Sequence, residues 1–288
     1  MRADLDLAVI VVNHNAGPYL ARCMESVRTA SGDLRTEVVI VDNASTDGSV
    51  NPLAGDGAAV RVVRNRHNRG FGAAANQGIA ASSAPLVLLL NPDARIVGGT
   101  LAALAKVARD RPRAGAVGAL VRNPDGSIQP SARRVPRMGE ALGHAFLGPI
   151  APGNRWTRAY TMAEWDRASE REVEWVSGSA MLLRREALDE VGLFDEGYFM
   201  YVEDVDLCTR LRRAGWQVLF SPELEVVHQI GVSTQGQHGR MAFEHSRSIY
   251  RYFSKYRGDG ARALLKPPVR VALWLRALLM SAVAGRRR

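Results

Sequence analysis

Short apolar segments alternate with segments of helical periodicity along the first 120 residues of the chain. Four mainly apolar runs predict strands at residues 7–12, 38–41, 60–63 and 86–90. Apolar positions at helical spacing predict helices at residues 18–29, 71–81 and 101–109. Strands that are apolar throughout are typical of a mainly parallel sheet covered by helices on both faces. The pattern therefore predicts an α/β fold.

The periodicity fades between residues 123 and 171, where Gly, Pro and Arg are frequent. We expect long connections around short elements in this segment. Regular patterns return after it and predict strands at residues 173–176, 180–183, 217–220 and 225–227, and helices at residues 185–191 and 205–214. The pattern of residues 241–284 is mostly helical.

Polar side chains follow each of the four apolar strands of the first half. They are Asn13 after the first strand, Asp42 and Asn43 after the second, Asn68, Arg69 and Gly70 after the third, and Asn91 and Asp93 after the fourth. Ligands of a parallel sheet collect at the carboxyl ends of its strands. Together the segments predict a nucleotide or phosphate pocket, although each alone is also typical of a turn or helix cap.

Each segment of this predicted pocket suits a different part of a nucleotide. Asp42 and Asn43 offer acceptors to a pyrimidine edge and a ribose. The Gly-containing turn at residues 68–72, with Asn76 beyond it, favours a diphosphate, because small residues let backbone N–H groups approach oxygen. Asp93 stands where a carboxylate would hold Mg²⁺ or Mn²⁺ together with phosphate oxygens.

A dense acidic group, Glu203, Asp204 and Asp206, opens the helix predicted near residue 205. Acidic residues at the start of a helix are partly explained by the favourable interaction of carboxylates with the positive end of the helix dipole. Asp206 lies four residues before Arg210, which predicts a solvated ion pair. Asp204 shares the inner face of the helix and is therefore a candidate general base, because partial burial raises a carboxyl pKa.

Three further positions permit both a structural and a functional interpretation. A single histidine such as His228 is more often structural than a ligand, but beside a carboxylate-bound metal it could supply a nitrogen. Trp175 and Tyr201 flank the acidic group in sequence. They could be core aromatics or a wall against which a sugar ring stacks.

Charge is the unusual feature of the composition, with 38 Lys and Arg against 29 Asp and Glu and a net charge of +9. Such a surplus indicates a polyanionic partner, namely nucleic acid, an anionic membrane or a phosphorylated substrate. Residues 255–288 hold nine of the basic residues and one acidic residue, so the rest of the chain is nearly neutral. The apolar stretch 269–284, followed by three arginines at 286–288, favours an interfacial helix with basic anchors over a packed terminal helix.

The remaining composition narrows the class of protein. Cys23 and Cys208 are too few for a disulfide framework and lack the neighbours of a zinc site. The apolar run at residues 7–12 is shorter than the core of a secretory signal, and no segment reads as a membrane span. We therefore expect a cytoplasmic protein without disulfides.

These motifs, taken together and in this order, resemble those of the family 2 inverting glycosyltransferases. The likeness rests on the segments at residues 42–47, 68–71, 90–93, 175–178, 194–196 and 203–216, and it runs from about residue 7 to 230. Within that family the chain is similar to the bacterial rhamnosyltransferases of the WbbL type. Some of these enzymes move rhamnose from dTDP-rhamnose onto N-acetylglucosamine carried by a polyprenyl diphosphate.

The resemblance implies a GT-A fold, a nucleotide-sugar-binding α/β half joined to an acceptor half. The implied division is a nucleotide-sugar half at 1–122, an acceptor and catalytic half at 123–238 and a helical, membrane-associating segment at 239–288. The family's base-binding motif falls on Asp42 and Asn43, and its first-strand contact falls on Asn13. Its metal motif is usually Asp-x-Asp, and here Asn91 takes the first position. Binding of Mg²⁺ or Mn²⁺ therefore falls mainly on Asp93, with His228 matching a late ligand of some relatives.

The resemblance also assigns the chemistry. Asp204, with Glu203 beside it, takes the position of the base that activates an acceptor hydroxyl for inverting attack. We expect Trp175, Gly178 and Tyr201 to contact the acceptor. The donor contacts implied at the turn are those of Asn68, Arg69, Gly70 and Asn76. The implied partners are dTDP-rhamnose, a polyprenyl-diphosphate-linked sugar and the anionic inner face of the plasma membrane.

An alternative within the family is another NDP-sugar transferase acting on a polysaccharide or lipid acceptor, and two other classes also remain open from the sequence. A nucleic-acid-binding protein could use the basic tail, although no recognition motif accompanies it and Asp and Asn at strand ends would repel phosphate without a metal. A catalytically inactive member could bind nucleotide sugars without transferring them. We expect no nucleic-acid partner.

Overall fold

The computed structural model describes residues 5–51, 60–136, 138–148, 151, 153–229, 231 and 238–285. The arginines at 286–288 lie outside these residues. The strands are β1 (Leu7–Asn13), β2 (Thr36–Asp42), β3 (Val60–Arg64), β4 (Leu86–Leu90), β5 (Ala94–Gly99), β6 (Ala114–Arg122), β7 (Ala132–Arg133), β8 (Arg171–Glu172), β9 (Trp175–Val176), β10 (Ala180–Arg184) and β11 (Gln217–His228).

Helices separate and cover these strands. They are α1 (Pro18–Ser31), α2 (Phe71–Ala80), α3 (Leu101–Asp110), α4 (Met138–Leu147), α5 (Arg155–Thr161), α6 (Arg185–Val191), α7 (Glu203–Arg213), α8 (His238–Tyr256) and α9 (Lys266–Gly285), with a 3₁₀ helix at Gly260–Leu265.

The main sheet has the strand order β3-β2-β1-β4-β10-β6-β11-β5, and β8 pairs with β11. Strands β3, β2, β1 and β4 run parallel. Strand β10 enters antiparallel between β4 and β6, while β7 and β9 form a separate two-stranded ribbon. The prediction of an α/β fold with a mainly parallel sheet is confirmed. Strand β10 comes from the predicted acceptor half and lies between two strands of the predicted nucleotide half.

The apolar run of β1 is explained by helices on both faces of the sheet. Val9 and Val11 belong to a core that includes residues of α1 and α3, whereas Ile10 belongs to a second core with residues of α2, α6 and α7. Helix α2 lies very close to the strand, because a Cβ at Gly78 would stand 2.3 Å from Ile10 Cγ2. A strand covered on both faces has no polar alternation to show in its sequence.

Several predicted boundaries differ from the structure. The segment 123–171 holds β7, α4 and α5, so it is more regular than its composition indicates. Of the run predicted as one strand at 173–176, only Trp175 and Val176 lie in a strand, β9, while β8 ends just before the run at Glu172. The two strands predicted at 217–220 and 225–227 are one strand, β11, whose pairing register with β6 shifts between Ser221 and Glu225. Pro222 lies within this irregularity, where its missing N–H is tolerated.

Among the described residues, no helix has the length and apolar character needed to cross a membrane. Helix α9 is nevertheless apolar on two faces. Leu273 and Ala277 are buried, whereas Val271, Trp274 and Leu278 are between 40% and 57% exposed. The prediction of a helical tail is confirmed, and the tail packs on the protein with one face and presents apolar side chains with the other.

Candidate active site

A cavity of about 940 Å³ opens at the carboxyl ends of β1, β2 and β4 and reaches helices α4, α8 and α9. Most of the site residues predicted from the sequence line it, namely Asn43, Asn68, Asn91, Asp93, Trp175, Gly178, Tyr201, Glu203, Asp204 and His228. The others, Asn13, Asp42, Arg69, Gly70 and Asn76, stand outside its described lining. The topology thus brings residues from both halves of the sequence to one site.

Asn43 organises the part of the cavity nearest β2. Its Nδ2 donates to Asn68 Oδ1 at 2.9 Å and to the carbonyl oxygen of Gly70 at 3.1 Å. Its Oδ1 accepts from Asn65 Nδ2 at 3.1 Å and from the backbone N–H of Arg69 at 3.0 Å. Every polar atom of this side chain is therefore used to hold the turn at residues 65–70 against the end of β2.

Asn13 and Asp42 are register partners at the ends of two adjacent parallel strands. Asn13 Nδ2 donates to Ser45 Oγ at 2.9 Å, while Asn13 Oδ1 is buried without a partner among the described residues. Asp42 Oδ2 accepts from Arg64 Nη1 at 3.2 Å. The Asn13 oxygen is thus an available acceptor, because an unpaired buried carbonyl is costly unless a ligand or water satisfies it.

The turn that follows β3 is held from behind by the segment that precedes α7. Gly70 has φ +85°, and a Cβ there would stand 2.3 Å from the carbonyl oxygen of Phe199. Arg69 Nη2 lies 3.5 Å from Glu196 Oε2. Asn76 bonds the backbone of Phe194 with both ends of its amide, at 2.9 and 3.0 Å. These bonds engage both ends of the Asn76 amide with the backbone, and the donor contact predicted for Asn76 stays a prediction.

Asn91 and Asp93 of the metal motif lie beside His228, although they come from distant parts of the sequence. Gln129 Nε2 donates to Asn123 Oδ1 and to the His228 carbonyl, so its Oε1 is the acceptor that faces His228 Nδ1 at 3.1 Å. In the tautomer with its proton on Nδ1, the ring directs the Nε2 lone pair toward Asp93 Oδ1, 3.2 Å away. Asn91 Nδ2 lies 3.1 Å from the same nitrogen.

Two lone-pair atoms at this separation fit a shared divalent cation. A histidine whose second nitrogen is fixed by an acceptor is the usual form of a metal ligand. No third His, Cys, Asp or Glu of the described chain joins Asp93 and His228 as a metal-binding cluster. The protein would therefore supply two ligands, and phosphate oxygens or water would complete the coordination shell.

Glu203 and Asp204 form the acidic part of the cavity at the start of α7. Asp204 Oδ2 accepts from the backbone N–H of Gly178 at 3.2 Å and Oδ1 from that of Val205 at 2.8 Å. Burial raises the pKa of Asp204, while these N–H groups and the positive charge of Arg133 oppose the rise. Burial first, and then the charge of Asp204, raise the pKa of Glu203 to about 8.

With a pKa raised to about 8, Glu203 is the member of the pair that favours its protonated form at neutral pH. Glu203 is 6% exposed, and its Oε2 has no partner among the described residues. Asp204 has two donors for its ionised form, so it carries the negative charge. The two preceding residues, Tyr201 and Val202, have φ values of +67° and +70°. Such strained backbone ahead of a helix is found at sites where a side chain must be aimed.

Asp206 is not solvated, contrary to the sequence prediction. It is fully buried, and its carboxylate accepts from Arg210 Nε at 2.8 Å, Lys255 Nζ at 2.7 Å and the Tyr256 hydroxyl at 2.8 Å. The predicted pair with Arg210 exists, but α8 covers it. Asp206 thus joins α7 to α8.

The predicted acceptor residues are placed around Asp204 in different ways. Trp175 is 6% exposed and donates from Nε1 to the Arg134 carbonyl at 3.1 Å, so the ring has a fixed position in the cavity wall. Gly178 lets the wall approach Phe71, whose ring would lie 3.3 Å from an added Cβ. Tyr201 is half-buried, and its ring centroid stands 5.1 Å from that of His245.

Comparison with known proteins identifies the family. The family model described as "Glycosyl transferase family 2" matches residues 8–192, and that described as "Glycosyl transferase family group 2" matches residues 149–284. The first match covers more than half of the chain and contains the strand ends that line the cavity. The chain belongs to glycosyltransferase family 2.

Relatives of this glycosyltransferase include enzymes with curated names. It is 39% identical, over 98% of the chain and 94% of the relative, to the N-acetylglucosaminyl-diphospho-decaprenol L-rhamnosyltransferase of Mycobacterium tuberculosis. It is 25% identical, over 86% of the chain and 93% of the relative, to the rhamnosyltransferase WbbL of Escherichia coli. The sequence resemblance to the WbbL type is confirmed.

Solved structures confirm the GT-A fold of this glycosyltransferase. GalNAc-T7 with UDP, GalNAc and Mn²⁺ aligns with a TM-score of 0.61 at 18% identity, over 95% of the chain and 55% of that structure. The mannosyltransferase PcManGT of Pyrobaculum calidifontis with GDP-Man and Mn²⁺ gives a TM-score of 0.56 at 18% identity, over 98% of the chain and 74% of that structure.

Sequence reasoning missed several residues that line or support the site of this glycosyltransferase. Gln129 fixes the tautomer of His228, and no local motif marks it. Arg133, His144, His245 and Arg276 also line the cavity, from four separate elements. Their positions depend on how α4, α8 and α9 fold over the sheet. The sequence predicted helical structure for α8 and α9, in the tail, but not for α4.

Proposed function

We propose that this glycosyltransferase moves L-rhamnose from dTDP-rhamnose onto N-acetylglucosaminyl-diphospho-polyprenol during cell-wall polysaccharide synthesis. The observation that carries the proposal is the similarity to the mycobacterial L-rhamnosyltransferase, at 39% identity over 98% of the chain. That similarity includes the segment 123–171 and the helical tail, which form much of the cavity away from the nucleotide. Similarity confined to the nucleotide half would support only a shared donor.

The donor nucleotide is assigned to the ends of β1 and β2. The unpaired Oδ1 of Asn13 suits the N–H of a pyrimidine base, and Asp42 beside it offers an acceptor. Asp93 and His228 would hold a divalent cation, as the Mn²⁺ in the names of two structural neighbours supports. When bound, the cation would neutralise charge on the departing diphosphate. Asn68 and Arg69 are proposed to assist the same diphosphate, directly or by positioning the turn.

The base is assigned to Asp204. Its carboxylate lines the cavity and is held by the N–H groups of Gly178 and Val205. We expect it to accept the proton of an acceptor hydroxyl as that oxygen attacks the anomeric carbon opposite the nucleotide, which inverts the configuration. Glu203, protonated at neutral pH, would donate a hydrogen bond to the acceptor sugar rather than compete as a base.

The site of action is assigned to an anionic membrane surface. Val271, Trp274, Leu275, Leu278 and Leu279 of α9 form an exposed apolar stripe, each between 40% and 57% exposed. Basic residues of the tail accompany it. An apolar helix face with basic neighbours binds the interface of an anionic bilayer. A peripheral position at the inner face of the plasma membrane would bring the cavity to a lipid-linked acceptor.

A donor and acceptor screen tests the proposal. Purified protein with Mn²⁺ is incubated with dTDP-rhamnose, UDP-glucose, UDP-galactose or GDP-mannose and a short-chain polyprenyl-diphosphate N-acetylglucosamine, and products are separated by chromatography. The proposal expects a disaccharide lipid with dTDP-rhamnose at a rate at least about tenfold above the other donors. Equal or faster transfer from a UDP- or GDP-sugar would contradict it.

A further inference from the structure

Four basic side chains from four separate elements are among the residues that line the cavity. Arg133 belongs to β7, His144 to α4, His245 to α8 and Arg276 to α9. His144 and His245 both feel the positive charges of Arg133 and Arg276, which places the four groups within one electrostatic neighbourhood. We call them the basic cluster. Basic side chains from such distant parts of the sequence do not meet merely because they share one helix face.

Cationic charge in this cluster is partly withdrawn from water. Burial first, and then the charges of Arg133 and Arg276, lower the pKa of His144 to about 4. Burial, followed by the charges of Arg276, His144 and Arg133, lowers the pKa of His245 to about 3. Burial also lowers the pKa of Arg276. At neutral pH the two histidines are therefore neutral N–H donors, and the positive charge of the cluster is that of Arg133 and Arg276, which a bound anion would stabilise.

The carboxylates of the described cavity lining stand elsewhere. They are Asp93, Glu203 and Asp204, and they lie at the sheet end or the start of α7. The cavity thus has an acidic part suited to a cation and a base, and a basic part suited to an anion. A donor diphosphate held by a metal at Asp93 does not account for the second, basic part.

Arg133 connects the two parts. Its positive charge acts on Asp204, and its guanidinium carbon lies 5.0 Å from the Trp175 ring centroid and 5.1 Å from that of Tyr160. Beyond it, the His144 ring centroid is 4.6 Å from that of Tyr160. Aromatic rings therefore flank the space between the base and the basic cluster, which is where a sugar ring with one hydroxyl at Asp204 would lie.

We propose that Arg133 and Arg276, with His144 and His245, bind the diphosphate of the lipid-linked acceptor. The inference rests on the proposed function, in which the acceptor sugar carries a diphosphate on its anomeric carbon. Guanidinium groups suit this anion because they offer paired N–H donors to phosphate oxygens. The sugar would then extend from the diphosphate toward Asp204, and its attacking hydroxyl would face the donor.

Helix α9 also provides a path for the lipid chain. Val269, Ala272 and Leu273 line the cavity beside Arg276, whereas Trp274 and Leu278 on the other side of the helix are 55% and 40% exposed. An isoprenoid chain attached to a diphosphate at Arg276 would therefore meet apolar side chains on its way to the membrane-facing surface. The diphosphate and the lipid are recognised by adjacent residues of one helix.

Binding of sugar-free probes tests the site without relying on catalysis. Farnesyl diphosphate stands in for the acceptor's lipid diphosphate and farnesol for its apolar part, while dTDP with Mn²⁺ reports the donor site. We expect Arg276→Met to weaken farnesyl diphosphate roughly 10- to 100-fold, because a charged hydrogen-bonding partner is lost. Binding of farnesol and of dTDP should stay within about twofold.

The matched control is Arg270→Met, which removes an exposed arginine from the same helix. It should bind all probes as the wild type does. If Arg276→Met does not fold, as judged by thermal melting, Arg133→Met makes the same prediction from another element. Unchanged farnesyl diphosphate binding in a folded variant, or an equal loss of dTDP binding, would overturn the assignment. Arg276-dependent farnesyl diphosphate binding without rhamnose transfer would support this site and contradict only the proposed donor and acceptor.

Discussion

Replacing Glu203 with Gln keeps the size of the side chain and removes its ability to ionise. In the wild type, burial and the neighbouring charge of Asp204 raise the pKa of Glu203 from 4.5 to about 8. The folded state therefore holds this proton more tightly than the unfolded chain. The stabilisation is fully present below about pH 4.5 and is lost as the pH rises through about 8.

The size of the stability change follows from the size of the rise in the Glu203 pKa. At about 1.36 kcal/mol per pKa unit, the wild type should lose roughly 4 kcal/mol relative to Glu203→Gln between about pH 5 and about pH 9. Urea unfolding of both proteins at the two pH values measures this difference, and the titration of groups that do not interact with residue 203 cancels in the comparison. Glu25→Gln, at an exposed position of α1, is the control and should track the wild type. A relative loss below about 1 kcal/mol would refute the buried, protonated state of Glu203.

Three further substitutions test other parts of the account. Asp206→Asn should lower the free energy of unfolding by roughly 3 kcal/mol, because it removes a buried charge that accepts from Arg210, Lys255 and Tyr256. Urea denaturation measures the change against Glu25→Gln, which should stay within about 0.5 kcal/mol of wild type. An equally small change for Asp206→Asn would refute this role. Gly78→Ala gains about 1 kcal/mol of helix propensity but pushes a methyl group against Ile10. We expect a net loss of about 1 kcal/mol in the free energy of unfolding, seen as a lower melting temperature. A raised melting temperature would show that the structure relieves this contact. Gln129→Leu removes the acceptor that orients the His228 ring, so the Mn²⁺ concentration for half-maximal transfer should rise roughly 10- to 100-fold. An unchanged Mn²⁺ concentration for half-maximal transfer would disprove the metal assignment.

The first half of the fold could be predicted because its signals are local. Strands β1, β2 and β4 carry buried apolar runs on both faces, the edge strand β3 is mainly apolar, and the three intervening or following helices show helical spacing. Strand β6 escaped prediction because its sequence is rich in Gly and Ala. The structure supplies the reason, since a Cβ at Gly118 would stand 2.6 Å from Val176 and one at Gly115 2.9 Å from Trp216. Small residues are required there by partners distant in sequence.

The candidate site was predictable where its residues follow strands, and not where distant helices complete it. Asp93 and His228 meet because β4 and β11 end at the same edge, as their positions after apolar runs indicated. Asp206 was expected on a solvated face because helical spacing says nothing about α8, which covers it. The basic tail was predicted as a membrane anchor, yet one of its charged residues, Arg276, lines the cavity.

The most direct test of the central claim compares Asp204→Asn with the wild type in transfer and in donor binding. If Asp204 is the base, transfer from dTDP-rhamnose should fall about 10²- to 10⁴-fold, while the Kd for dTDP with Mn²⁺ stays within about twofold of wild type. Asp189→Asn, at an exposed position of α6, should leave both unchanged. Transfer at a wild-type rate by a folded Asp204→Asn protein would contradict the account.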